Sequence, residues 1–182
     1  KQKSEVSSCH NFSDVIFGIA PNWYQSYDYP SKSMTHLLFL LHVGSTLYMM
    51  GLIWFIQVVH YPLHAHVGAE QFSNYQHLHM NWTTFVVGPP MLIEMVTTVF
   101  FLITPPLHVP YWMLVIGAFF LSMIWGSTII FQVPFHSTLT KSFEVNTHKK
   151  LVMSNWIRTF FWSCRGILVL YMTSILLKKI TI

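Results

Sequence analysis

Charge is what this sequence lacks most. Asp, Glu, Lys and Arg together make up 9% of its 182 residues, where a soluble domain carries about 25%, and so sparse a supply cannot keep a surface wet. Carboxylates are the scarcer sign, with six Asp and Glu against ten Lys and Arg. The resulting charge of +4 is no nucleic-acid footprint, because the basic residues stand singly or in pairs beside apolar runs, as membrane flanks do. No nucleic-acid partner is expected. Cysteine is nearly missing too: Cys9 sits in a polar leader and Cys164 inside an apolar run, which indicates neither a disulfide framework nor a Cys-based zinc site. Also missing are a serine-hydrolase elbow, a phosphate loop, a dinucleotide fingerprint, a Cys-x-x-Cys and an H-E-x-x-H, so soluble cofactor enzymology is disfavoured. The start lacks a charged segment leading straight into an apolar core and cleavage site, so no signal peptide is expected.

In place of charge the chain has 53% hydrophobic and 16% aromatic residues, with seven Trp, rings that favour the headgroup zone of a bilayer. A helical span needs about 20 mostly apolar residues, and four stretches qualify: Met34 to Val59, Trp82 to Ile103, Val109 to Val133 and Thr159 to Leu177. The expected fold is an all-α membrane protein of four transmembrane helices, built as two parallel-related helical hairpin repeats (34–103 and 109–177) within a domain covering 34–182. The lipid bilayer is its first partner. Thr104-Pro105-Pro106-Leu107-His108 allows only a tight antiparallel turn, so both termini are expected on one side. Lys1, Lys3, Lys32, Lys178 and Lys179 there, against Lys141, Lys149, Lys150 and Arg158 opposite, leave the orientation open. Residues 1–33, polar and aromatic, read as a peripheral arm. The connections 60–81 and 134–158 each begin near a proline, and each has the composition of an amphipathic helix lying at the interface.

The halves repeat one another in order. Gly51 and Gln57 match Gly126 and Gln132; Pro62-Leu63-His64 matches Pro134-Phe135-His136; Phe72 with His77 matches Phe143 with His148; and Asn81-Trp82 matches Asn155-Trp156. A parallel repeat of this kind places matching residues at equal depth about an axis along the membrane normal. The strings Gln57-Val58-Val59-His60-Tyr61-Pro62-Leu63-His64, Val86-Val87-Gly88-Pro89-Pro90-Met91-Leu92-Ile93-Glu94, Gln132-Val133-Pro134-Phe135-His136 and Asn155-Trp156-Ile157-Arg158-Thr159 resemble the signature stretches of a family of small bacterial membrane proteins with four spans and no established activity. The likeness covers roughly residues 40–172. It implies the four-span fold and the bacterial cytoplasmic membrane, and it brings no chemistry.

Chemistry must come from the residues. Of eleven histidines, seven fall in the two connections, and imidazole suits Cu, Fe and Zn near neutral pH. His60, His64 and His136 are expected to converge, with His77 or His148 closing a metal site. The alternative is that Gln57, Gln132 and these histidines merely cap helix ends broken by Pro62 and Pro134. Haem is disfavoured, because only His42 is well inside a span and two axial histidines on facing helices are needed. Glu94 is the one carboxylate within a span and needs a reason to be there. Aligning Phe85 with Phe160 puts Arg165 level with Pro90, so Glu94 lies four residues, about 6 Å of rise, deeper, within reach of a long Arg side chain. Gln57, Gln132, Glu94, Asn155 and Arg165 form the candidate cofactor- or ion-binding set. Three readings follow: a metal-binding or redox membrane protein, a small proton or metal-ion carrier, and an accessory subunit of a larger membrane complex. The gathering of polar residues toward one face favours the first.

Overall fold

A computed structural model describes residues 32–180 apart from Leu107; the arm expected over residues 1–33 lies almost wholly outside them. The described residues are helical with no strand, as an environment without water to satisfy open backbone groups requires. Four long helices result. Helix α1 (Lys32–Phe55) runs on through a π-helical turn (Ile56–His60) and one last α turn (Tyr61–His64). Helix α2 covers Ala69–Ile103. Helix α3 (Tyr111–Ser127) likewise passes through a π turn (Thr128–Gln132) into Val133–Leu139, and α4 covers Val145–Ile180. Each is long and apolar enough to cross a bilayer.

The expected boundaries shift at the two connections. Their residues are helical, but they lengthen the spans instead of forming separate interfacial helices: α1 and α3 extend past their prolines, and α2 and α4 begin well before Trp82 and Thr159. The prolines account for the form of the extension. Pro62 and Pro134 can give no N–H to the carbonyls of Val58 and Ile130, and their rings crowd those carbonyls. The ladder opens by one residue, so that the Tyr61 N–H reaches the Ile56 carbonyl and the Val133 N–H reaches that of Thr128. A π turn admits one extra residue without ending the helix, and such turns often mark functional sites. Pro89 and Pro90 act differently, since α2 passes through both in α form.

Three apolar layers stack along the bundle. Phe39, Phe101, Met113 and Met172 form one end, Met49, Ile53, Met91, Ile124 and Trp162 the middle, and Tyr61, Phe72, Leu139 and Leu151 the other end. Outward faces stay apolar, with Leu40, Trp82, Phe85, Phe160 and Ile167 all more than 60% exposed. Lipid is the environment that accepts such a surface. Between α2 and α3 the turn is closed by the Val109 N–H on the Pro106 carbonyl, with His108 in the left-handed region at φ 68°.

Candidate functional site

Polar side chains fill the gaps between the apolar layers. The deepest group lies between the first layer and the middle. Glu94 and Arg165, both essentially without solvent contact, face each other at 3.6 Å, the contact their relative depth in the sequence leads one to expect. Trp162 Nε1 donates to Glu94 Oε2 at 3.1 Å, while Arg165 donates to the Gly117 carbonyl and, at 3.4 Å, to Thr98 Oγ1. His42 meets Thr97 Oγ1 at 2.7 Å; since the Thr97 hydroxyl donates to the Ile93 carbonyl at 2.6 Å, it accepts from His42 Nδ1–H. A small cavity of about 20 Å³ adjoins His42, Thr98 and Arg165, room for no more than a water molecule.

One layer further along, α1 and α3 reach the same stretch of α4. Asn155 donates to Gln57 Oε1 at 2.8 Å and Gln57 Nε2 to the Val152 carbonyl at 3.3 Å. Gln132 Nε2 donates to Ser154 Oγ at 3.1 Å and its Oε1 accepts from Ser127 at 3.2 Å. Both glutamines therefore serve helix-to-helix hydrogen bonds. Each stands inside a π turn.

The histidines gather at the bundle end formed by the third apolar layer. His60 and His64 come from α1, His79 from α2, His136 from α3 and His148 from α4. Ring centres lie 5.7 Å apart for His60–His64, 4.6 Å for His60–His79, 5.7 Å for His64–His79, 5.3 Å for His64–His148 and 5.4 Å for His79–His136. Gln76 organises them. Its Nε2 lies 3.3 Å from the His136 carbonyl, which can only accept, so the amide turns its NH2 toward His136 and gives a 2.9 Å hydrogen bond to His136 Nδ1. Its Oε1 then accepts from His64 Nε2–H at 2.8 Å. His136, with Nδ1 accepting, carries its proton on Nε2, 3.3 Å from the Tyr61 hydroxyl. His64, with Nε2 donating, presents Nδ1 as a bare lone pair. That nitrogen is buried without a partner, as are His60 Nε2 and His148 Nε2.

His60, His64, His136 and His148 thus meet where the sequence expects convergence. His77 does not join them: it is exposed, and His79 stands in the cluster instead. Phe72, Gln76 and His79 share the inner face of α2 at helical spacing, which turns His77 outward. The matched spacing of Phe143 and His148 misled because Phe143 precedes the first turn of α4, so those five residues do not follow one helix. The three-four spacing of Gln76 and His79 gains meaning only once α2 is known to run unbroken from Ala69; Tyr61 and Trp162 carry no polar signal in an aromatic-rich chain. Among the described residues no group of three or more His, Cys, Asp or Glu side chains is arranged, as it stands, so that it could hold a metal ion. No protein-family model, curated protein or solved structure matches the chain.

Proposed function

We propose that this integral membrane protein binds a transition-metal ion, copper, iron or zinc, through the histidine cluster at one end of its bundle. The observation that carries the reading is the set of three buried, unpartnered imidazole nitrogens, on His60, His64 and His148. A buried polar atom left without a partner costs about 1–3 kcal/mol, and one convergent ion would relieve three such costs together. Two imidazoles on a common tetrahedral ion, with nitrogens about 2.0–2.1 Å from it, have ring centres roughly 5 Å apart. The His60–His64 and His64–His148 separations, 5.7 and 5.3 Å, are close to that, so modest ring rotations would complete a site. Gln76 holds the far side of one candidate ligand, His64, the usual outer arrangement that fixes a metal-bearing tautomer. Ligands of imidazole alone, without thiolate or carboxylate, suit Zn, Cu and Fe and disfavour Ca or Mg.

The resemblance to bacterial four-span proteins supports placement in a bacterial cytoplasmic membrane with both termini on one side. The paired π turns, each two residues before a proline, support descent from a duplicated hairpin. The test of function is metal analysis of the chain purified in detergent, followed by cobalt or copper titration read by ligand-field absorption. One equivalent of metal, lost in His64→Ala and kept in His77→Ala, is the expected result. Metal-free protein that gives no ligand-field band sinks the reading and would favour a structural subunit of a larger complex.

A further inference from the structure

Two arginines of α4, seven residues apart and therefore on one helix face, differ in what balances them. Arg165 has Glu94 at 3.6 Å. Arg158 is 6% exposed and has no carboxylate: of the three among the described residues, Glu94 is taken, Glu144 accepts from Thr147 at 2.6 Å, and Glu70 is exposed in the first turn of α2. The Arg158 guanidinium lies over the Trp162 ring at 5.2 Å, and its Nη1 donates to Asn155 Oδ1 at 3.3 Å. Asn155 is itself anchored by Gln57. One corner of the fork is thus fixed, while Nε is buried with no partner, as is that of Arg165, which has a carboxylate opposite it where Arg158 has none.

We propose that Arg158 is the recognition group of a carboxylate-binding site, beneath the Tyr61 and His136 side of the histidine cluster. A buried cation with nothing opposite it is strongly destabilising, and a guanidinium held by Trp162 and Asn155 with its Nε free is preorganised for two-point binding of a planar carboxylate. Cation–π contact with Trp162 offsets part of the cost but leaves the Nε–H donor unmet. The ligand is a carboxylic acid, either a lipid-soluble one such as a fatty acid entering from the bilayer or a small water-soluble acid entering from the bundle end. The inference stands apart from the metal reading, since it uses no histidine nitrogen.

The experiment is thermal unfolding of the full chain in non-ionic detergent with sodium acetate or sodium oleate, against sodium chloride at matched ionic strength. Saturable stabilisation by one acid and none by chloride is expected. Response to oleate alone assigns the lipid source, and response to acetate alone the soluble one. Arg158→Gln should abolish the shift, and Arg158→Lys should weaken the apparent affinity by about tenfold or more by losing the fork. Because Arg158→Gln can fail to fold, saturation-transfer NMR from wild-type protein to acetate, displaced or not by oleate, provides a reading without a variant. Wild-type protein indifferent to both acids, or an Arg158→Gln protein that responds as wild type does, overturns the proposal.

Discussion

The Glu94–Arg165 group and the histidine cluster are both buried, both polar and both assembled from facing helices, yet they are finished to different degrees. In the first, opposite charges meet at 3.6 Å, the indole of Trp162 completes one carboxylate oxygen, and a carbonyl and a hydroxyl take up part of the guanidinium, leaving Glu94 Oε1 and Arg165 Nε with the ion pair but no hydrogen bond of their own. In the second, five neighbouring imidazoles share one bridging amide and leave three nitrogens bare. Along α4, Arg165 lies seventeen residues from His148, about 25 Å of rise, so the two groups occupy different depths of the bundle. A polar group whose charges are matched across the bundle holds helices together. One whose lone pairs face neither a donor nor a charge is available to something else. The carrier reading weakens on the same ground, because Glu94 is committed to a partner in the bundle interior.

The sharpest break of this comparison is to open the finished group. Glu94→Gln leaves Arg165 charged, buried and unpaired, and removing one partner of such a pair costs about 3–5 kcal/mol; loss of folded, monodisperse protein by size exclusion is expected. Reversing the pair, as Glu94→Arg with Arg165→Glu, should recover only part of this, because a guanidinium in place of the Glu94 carboxylate cannot accept from Trp162 Nε1–H. Replacing both by apolar residues, Glu94→Leu with Arg165→Met, removes both buried charges and should restore most of the folding if the role is structural, short of wild type because Trp162 Nε1–H again has no acceptor. A double variant as damaged as Glu94→Gln would give this pair a task beyond packing and erase the distinction between the two regions.

A smaller effect is expected at the bridge of the unfinished group. Gln76→Leu strips His64 Nε2 and His136 Nδ1 of their partner at once. The cost should be about 1–3 kcal/mol in thermal stability, together with a roughly 10- to 100-fold loss of metal affinity if the amide orients the ligand ring. Gln76→Glu sharpens the point: it keeps the acceptor for His64 and loses the donor to His136, so His136 must take up the role of donor instead. Stability lost equally in both variants would mean that the bridge matters only for shape.

Much of this was legible in advance, and unevenly. Four spans follow from apolar length, and the Glu94–Arg165 contact follows from counting residues between the aromatic landmarks Phe85 and Phe160. The convergence of His60, His64, His136 and His148 follows from the two prolines that begin the connections. What was not legible is the behaviour of those prolines. A proline in a span reads as a break, and the sequence offers no sign that Pro62 and Pro134 widen their helices into π turns while Pro89 and Pro90 leave α2 intact. With the helices assumed broken, residues 60–81 look like a separate segment and its inner face cannot be assigned. His77 then looks as good as His79. The distant partner Trp162 is hidden for a different reason, since an indole becomes a polar ligand only when a carboxylate is packed against it.

The smallest expected effect sets two near neighbours on α2 against each other. His79 lies 4.6 Å from His60 ring to ring, nearly parallel at 19°, and 5.4 Å from His136; its Nδ1 is 3.1 Å from Thr83 Oγ1. Two imidazolium rings would not stack face to face at that distance, since like charges repel, so at least one of the two is neutral in this packing and has a lone pair to offer. His79→Ala removes one side of the cluster without touching the three bare nitrogens, and should weaken metal binding by about tenfold or less, in the range of an outer-shell change. His77→Ala alters only an exposed side chain, for which a change within about 0.5 kcal/mol is normal, and its metal titration should overlay that of wild type. The two variants differ in the same residue type, on the same helix, two positions apart, so composition and general helix propensity cancel between them. Equal titrations for both would mean that His79 is a packing residue and that the ligand set stops at α1 and α4. A loss confined to His77→Ala would require α2 to turn its other face inward, and the cluster itself would have to be redrawn.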